Sequence, residues 1–170
     1  MTGNDGMNSS LTELKERLTE LEPGRTVYLG IGNILRGDDG IGPRLAARLS
    51  GMGMKAVDAG TVPENNIRSV ARLEPETVII IDAVHLDRDP GSVELLKKKD
   101  IAGGTGFTTH TLSPVLVMER LEEETGAEVL LLAIQPRVLG FGVPMSREME
   151  ELLVTLPEIL ARPRQHQSSD

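Results

Sequence analysis

The sequence predicts a three-layer α/β sandwich, in which a mostly parallel, twisted sheet of about five strands carries helices on both faces. From Thr26 onward, short apolar runs alternate with amphipathic stretches of helical period. Two of those runs, Thr77 to Asp82 and Val129 to Ile134, are apolar at successive positions, as strands covered on both faces are. The length of 170 residues fits one such domain, and no internal repeat or second core is visible.

The elements follow in order. Met1 to Ser9 has no periodicity and no apolar h-region, so it reads as a flexible leader, not a signal peptide. Ser10-Leu11-Thr12-Glu13 has capping-box spacing. Leu11, Leu14, Leu18 and Leu21 continue it as a helical stripe that Pro23-Gly24 ends. Val27 to Ile31 is a strand, Gly32 to Gly42 a glycine-rich loop, and Pro43 sits in the first turn of a helix that buries Leu45, Ala46 and Leu49. A strand over Ala56 to Asp58 precedes a helix from about Glu64 to Leu73. After the central strand Thr77 to Asp82, Pro90-Gly91 turns the chain into an antiparallel strand, Ser92 to Leu96. Lys97 to Gly106 reads as a loop. Ser113-Pro114 opens a helix that Gly126 terminates, and Val129 to Ile134 follows as a buried strand. A last helix begins near Ser146, faces Met149, Leu152, Leu153 and Leu156 inward, and is kinked or ended by Pro157. The expected organisation is a leader and added helix over 1–24, the α/β domain over 25–161 and a flexible tail over 162–170.

Composition excludes several classes. Aromatic residues make up 2% of the chain and Trp is absent, so there is no platform on which bases could stack. The formal charge of -8 opposes phosphate binding. Nucleic acid and anionic membranes are therefore not expected partners, and no apolar run reaches the roughly 20 residues of a membrane span. The chain has no cysteine, which removes disulfides, thiolate metal sites and a Cys nucleophile. These features fit a soluble, cytoplasmic protein, and a monomer is the default expectation.

Ligands of open α/β sheets bind beyond the carboxyl ends of the strands. That rule selects Asp39 after the first strand, Asp58 at the end of the second, Asp82 at the end of the central one, and His110 just ahead of the Ser113-Pro114 helix start. Singly, each has an ordinary explanation as a turn, cap or surface residue. His85 and His166 are weaker candidates. Together, two carboxylates and an imidazole form an O,O,N set that suits a borderline divalent ion with open positions, able to polarise a carbonyl or activate water. No local HExxH-type spacing supports it, so pattern alone stops at an α/β domain with a candidate acidic metal site.

Several segments carry a resemblance. Gly30-Ile31-Gly32-Asn33 with Gly37-Asp38-Asp39-Gly40-Ile41-Gly42-Pro43 resembles the opening signature of the [NiFe]-hydrogenase maturation endopeptidases. Asp58-Ala59-Gly60-Thr61-Val62-Pro63-Glu64-Asn65 resembles their second signature, with Ala59 where Gly is usual. Ile81-Asp82-Ala83 and Thr108-Thr109-His110 fall where the family has further metal contacts. Ile134-Gln135-Pro136, Gly140-Phe141 and Pro144-Met145 are similar to a late segment of the hydrogenase-3-type (formate hydrogenlyase) subgroup. The resemblance runs from about Val27 to Leu160 and implies a phosphorylase/hydrolase-like fold. It also implies nickel contacts at Asp39, Asp82 and His110, with Asp39 or Asp82 accepting a proton from water, and precursor recognition at Asp58 and Gly60. The implied partner is the hydrogenase large-subunit precursor, which presents the nickel and loses its C-terminal extension; the absence of cysteine here would then avoid competition for that metal. The alternatives are a precursor-binding chaperone that does not cut, a nucleotide- or anion-binding module using the Gly32 to Gly42 loop, and a self-contained metallohydrolase. The loop lacks both G-x-G-x-x-G and GK[ST] spacing, and its two aspartates would repel phosphate.

Overall fold

The structure, a computed structural model, describes residues 4–21, 25–102 and 113–161. Five strands, β1 (Thr26–Ile31), β2 (Ala56–Gly60), β3 (Thr77–Ala83), β4 (Val93–Lys97) and β5 (Glu128–Ile134), form one sheet in the order β2-β1-β3-β5-β4. Pairings β1–β2, β1–β3 and β3–β5 are parallel, and β4 runs antiparallel to β5. The expected sandwich and its central strand are thus the observed ones.

Side chains alternate between two cores, which explains why β3 and β5 read as unbroken apolar runs. Tyr28, Ile79, Ile81, Leu130 and Leu132 meet one layer, made by α1 (Asn4–Thr19), α2 (Ile41–Gly51) and α6 (Arg147–Leu160). Leu29, Val78, Ile80, Val129 and Leu131 meet the other, made chiefly by α3 (Ile67–Ala71) and α5 (Pro114–Thr125). The Ser113-Pro114 start and the Gly126 stop of α5 are as expected, with Gly126 in the left-handed region at φ 68°.

Four local expectations are corrected. The first helix starts at Asn4, inside the supposed leader, because Met7 is buried beside Leu11 and Leu14 and extends their stripe by a turn. Ser10 is consequently not a cap. It lies within α1, where its hydroxyl donates to Met7 O at 2.8 Å and its Oγ accepts from Val93 N at 3.0 Å. Lys97 to Gly106 is not all loop, since α4 (Lys98–Ala102) forms there with Ile101 buried against the α5 layer and Asp100 Oδ2 accepting from Lys97 N at 2.9 Å. The single helix expected over Glu64 to Leu73 is a 3-10 turn, Pro63–Asn66, followed by the short α3. Of the two effects expected of Pro157, a kink or an end, the second does not occur, because α6 runs on to Leu160. The proline forfeits one backbone bond, but Ile159 and Leu160 beyond it are buried and Tyr28 donates its hydroxyl to Leu160 O.

One close approach sets where α2 begins. A Cβ on Gly42 would lie 2.3 Å from Ile31 O and 2.5 Å from Ile81 O, and one on Gly30 would lie 2.1 Å from Gly42 O. The first turn of α2 therefore rests directly on the backbone of β1 and β3, a distance only glycine permits. Gly42→Ala should cost about 3 kcal/mol or more, lowering Tm by roughly 6–12 °C. Gly51→Ala, where an added Cβ meets nothing within 4 Å, should be neutral or stabilising by up to about 1 kcal/mol. Thermal denaturation of the two variants checks the contrast.

Candidate active site

The carboxyl ends of β1 and β3 lie side by side, and the chain leaving β1 folds back over them. Gly32, at φ +145°, lies so close to the returning chain that a Cβ there would sit 1.8 Å from Asp39 O. The return is a 3-10 turn, Gly37–Gly40, which leads straight into α2. Neighbouring residues in so tight a turn project in different directions, and the two aspartates use this to do different jobs.

Asp38 points inward and is fully buried. Its Oδ2 accepts from Arg137 N (2.8 Å), Val138 N (3.1 Å) and the Ser146 hydroxyl (2.8 Å), and its Oδ1 accepts from Ser146 N (2.7 Å). Its own N–H donates to Val138 O at 2.8 Å. These bonds bind the turn to the segment between β5 and α6 and satisfy the buried carboxylate with donors fixed in place. Reading the sequence alone did not single out Asp38 as a working residue. Its partners lie about a hundred positions away, and nothing local distinguishes it from Asp39.

Asp39 points outward, half-buried, and its Oδ2 accepts from Asn33 N at 2.7 Å. Asn33 Oδ1 in turn accepts from Leu35 N at 2.9 Å, so the loop after β1 is braced against this carboxylate. Asp82 ends β3 on the α5 side of the sheet and is 6% exposed. It helps line a cavity of about 210 Å³ together with Ile31, Thr61, Pro63, Pro114 and Val117. Burial in these apolar walls pushes the Asp82 carboxyl well above the ordinary aspartate range, the nearby charge of Asp39 pushes it further, and a hydrogen bond from the Ala83 N–H opposes both. The Asp82 carboxyl thus holds its proton more tightly than an ordinary aspartate does.

The other candidates stand differently. Asp58 is exposed on edge strand β2, and its Oδ1 accepts from Gly60 N at 2.9 Å. Gly60 O accepts from Gly32 N at 2.9 Å, which ties this turn to the exit of β1. Asp58 and Gly60 therefore belong to the same end of the sheet as Asp39 and Asp82 but stand apart from them. His110 lies outside the described residues; among those described, no three His, Cys, Asp or Glu side chains form a metal-holding group. His85 is half-buried with its Nδ1 3.4 Å from Gln135 Nε2. Gln135 is itself buried and accepts from Leu86 N at 2.6 Å, so this contact orders the loop after β3. His166 is outside the described residues.

Against known proteins, the family model for hydrogenase maturation protease matches residues 41–162. The chain belongs to the hydrogenase maturation proteases. It is 34% identical over 133 residues to the hydrogenase 3 maturation protease of Escherichia coli K12, a span covering 76% of this chain and 85% of that one. The crystal structure of the [NiFe] hydrogenase maturation protease HycI from Thermococcus kodakarensis superposes with a TM-score of 0.73 at 28% identity, over 86% of this chain and 99% of that one. The solution structure of the endopeptidase HycI from Escherichia coli gives a TM-score of 0.70 at 32% identity, over 78% and 86%. In this member of the family the matched region takes in Asp58, Asp82 and His110 and begins just past Asp39, while α1 precedes it. Among the described residues no helix is long and apolar enough to cross a membrane.

The two inward carboxylates should respond oppositely to removal. Asp38→Ala leaves three backbone N–H groups without their acceptor and should cost about 3 kcal/mol or more. For Asp82 the folded state holds its proton more tightly than the unfolded chain, where an aspartate has a pKa of about 3.9. Its contribution to stability is therefore present below that value and is lost as pH rises through the raised folded value. In chelator-treated protein, Asp82→Asn should raise Tm at pH 7 by a few degrees, and the difference should shrink towards zero below about pH 4. Calorimetry across that range checks the sign, and equal melting temperatures at pH 7 would contradict it.

Proposed function

We propose that this protease removes the C-terminal extension of a [NiFe]-hydrogenase large-subunit precursor after nickel insertion, acting as a monomer and using the substrate-borne nickel as its recognition element. Asp39, Asp82 and His110 contact that metal, and Asp58 with Gly60 helps to seat the precursor. The observation that carries the reading is the pairing of Asp39 with Asp82. Both stand at the carboxyl ends of adjacent strands, where burial first and the Asp39 charge second make a negative charge on Asp82 costly, and a divalent cation would offset both. The donor set is hard oxygen plus, through the resemblance at Thr108-Thr109-His110, one imidazole nitrogen. Such a set binds nickel modestly by itself. It becomes a strong site only when the substrate supplies the other ligands, so nickel acts as part of the substrate and not as a resident cofactor.

The chain's own contribution to hydrolysis is positional and basic. Asn33 N–H fixes the orientation of Asp39, and the apolar walls around Asp82 keep its basicity high enough to take a proton from an attacking water. With nickel seated, the scissile peptide is held against that pair. Without it, the carboxylates repel one another and the peptide is not aligned. A chaperone that binds without cutting has no feature of its own to support it here, since both carboxylates are in place.

Incubation with nickel-loaded and nickel-free precursor, followed by mass spectrometry, tests this. A C-terminal cut is expected in the loaded sample alone. Asp39→Asn keeps the side-chain volume and an acceptor for Asn33 N–H, so it should retain its Tm while losing about 10²–10⁴-fold in kcat/KM. Processing of loaded precursor at the wild-type rate by Asp39→Asn, or equal cutting of nickel-free precursor, overturns the reading.

A further inference from the structure

Two loops beside the carboxylate pair display large apolar side chains to solvent. Ile34 and Leu35 follow β1 and are 55% and 58% exposed; Phe141 and Val143 lie between β5 and α6 and are 73% and 41% exposed. Single exposed apolar residues are common on any surface, but a group brought together by specific bonds is not. Here Gly142 N donates to Leu35 O at 2.8 Å, Arg36 Nε to Leu139 O at 3.3 Å, and Asp38 N to Val138 O at 2.8 Å. The buried Asp38 carboxylate holds both ends of the second loop through Arg137, Val138 and Ser146.

From this we infer that residues 33–36 and 139–143 form a docking surface for an apolar, extended segment of the protein substrate that flanks its scissile bond. The inference rests on the proteolytic reading above and adds a specificity surface to it. Three features select that occupant. The surface is continuous with the proposed centre, because Asn33, which opens the first loop, donates to Asp39 at 2.7 Å. A protease that cuts one bond of a folded partner must grip the chain beside that bond, and a pre-ordered grip costs less entropy on binding. The two loops also hold no acidic residue and one arginine, in a chain of net charge -8. An uncharged segment fits there, whereas a second copy of so acidic a chain brings electrostatic repulsion with it. None of these four side chains is required by the hydrophobic core.

The test measures steady-state cleavage of nickel-loaded large-subunit precursor by the wild type, by the double variant Leu35→Ser with Phe141→Ser, by Phe141→Leu, and by Met52→Ser. Met52 is an equally exposed apolar residue, 50% accessible, just past the C-terminal end of α2 and so at the opposite edge of the sheet. The double variant should raise KM at least roughly tenfold, leave kcat within about twofold and leave Tm unchanged, since two large apolar contacts are lost from binding alone. Phe141→Leu should restore KM to within about threefold, and Met52→Ser should match wild type. If the wild type cuts and the double variant keeps its KM, the docking surface is overturned while the proposed function stands. If the wild type does not cut, the proposed function fails, and titration calorimetry of precursor binding decides the surface separately: equal affinity of wild type and double variant overturns it. Sedimentation completes the set, because a wild-type dimer that becomes a monomer in the double variant with KM unchanged would make the patch a self-association surface instead.

Discussion

The buried carboxylate of Asp38 is the point at which the loop after β1, the segment after β5 and the start of α6 are joined. It accepts four hydrogen bonds, three of them from backbone N–H groups about a hundred residues away in sequence. A carboxylate is withdrawn from water only when such donors are already in place, so the turn and the distant segment order one another. The placement of Asp39 follows from this. Once one aspartate of a tight turn is committed to the interior, the next is carried outward, over the end of β3 and towards Asp82. The placement of Asp39 at the sheet edge thus depends on a neighbour whose own carboxylate is spent on holding distant backbone.

A second constraint acts on the same turn from below. Gly30 and Gly42 let the first turn of α2 lie against the backbones of β1 and β3, which fixes the height at which the turn leaves the sheet. Between this floor and the Asp38 clamp the chain has little freedom. That rigidity is what permits an unfavourable arrangement to persist: Asp82 is held among apolar walls and near a like charge, although both raise its affinity for a proton. Sites that bind cations commonly store such tension, since the ligand relieves it.

Much of this was legible in the sequence where the signal was local. The runs at Thr77 and Val129, the Ser113-Pro114 and Gly126 boundaries of α5, and the placement of Asp82 at a strand end all depend on neighbours within a few residues. What was illegible depended on distant partners. Ser10 has the spacing of a cap, yet the burial of Met7 carries the helix past it and turns its hydroxyl to Val93. Asp38 and Asp39 are chemically identical neighbours, and only the segment at residues 137–146 tells them apart. Pro157 reads as a kink or a stop, but buried Ile159 and Leu160 carry α6 beyond it. His110 lies outside the described residues, so its place beside the pair stays with the sequence resemblance.

The N-terminal helix has a meaning beyond its share of the core. It lies along β4, the antiparallel strand at one margin of the sheet, and Ser10 Oγ occupies the outward-facing N–H of Val93 there. The region matched by the family model begins at Ile41 and leaves this helix out. A chain lacking only α1 would uncover both the apolar flank against which Met7, Leu11 and Leu14 pack and a backbone donor on an open strand. Such a margin is a template for adding strands from other molecules. The first consequence of losing α1 would therefore be felt as insolubility, with molecules stacking edge to edge, while the candidate site at the carboxyl ends of β1 and β3 stayed assembled.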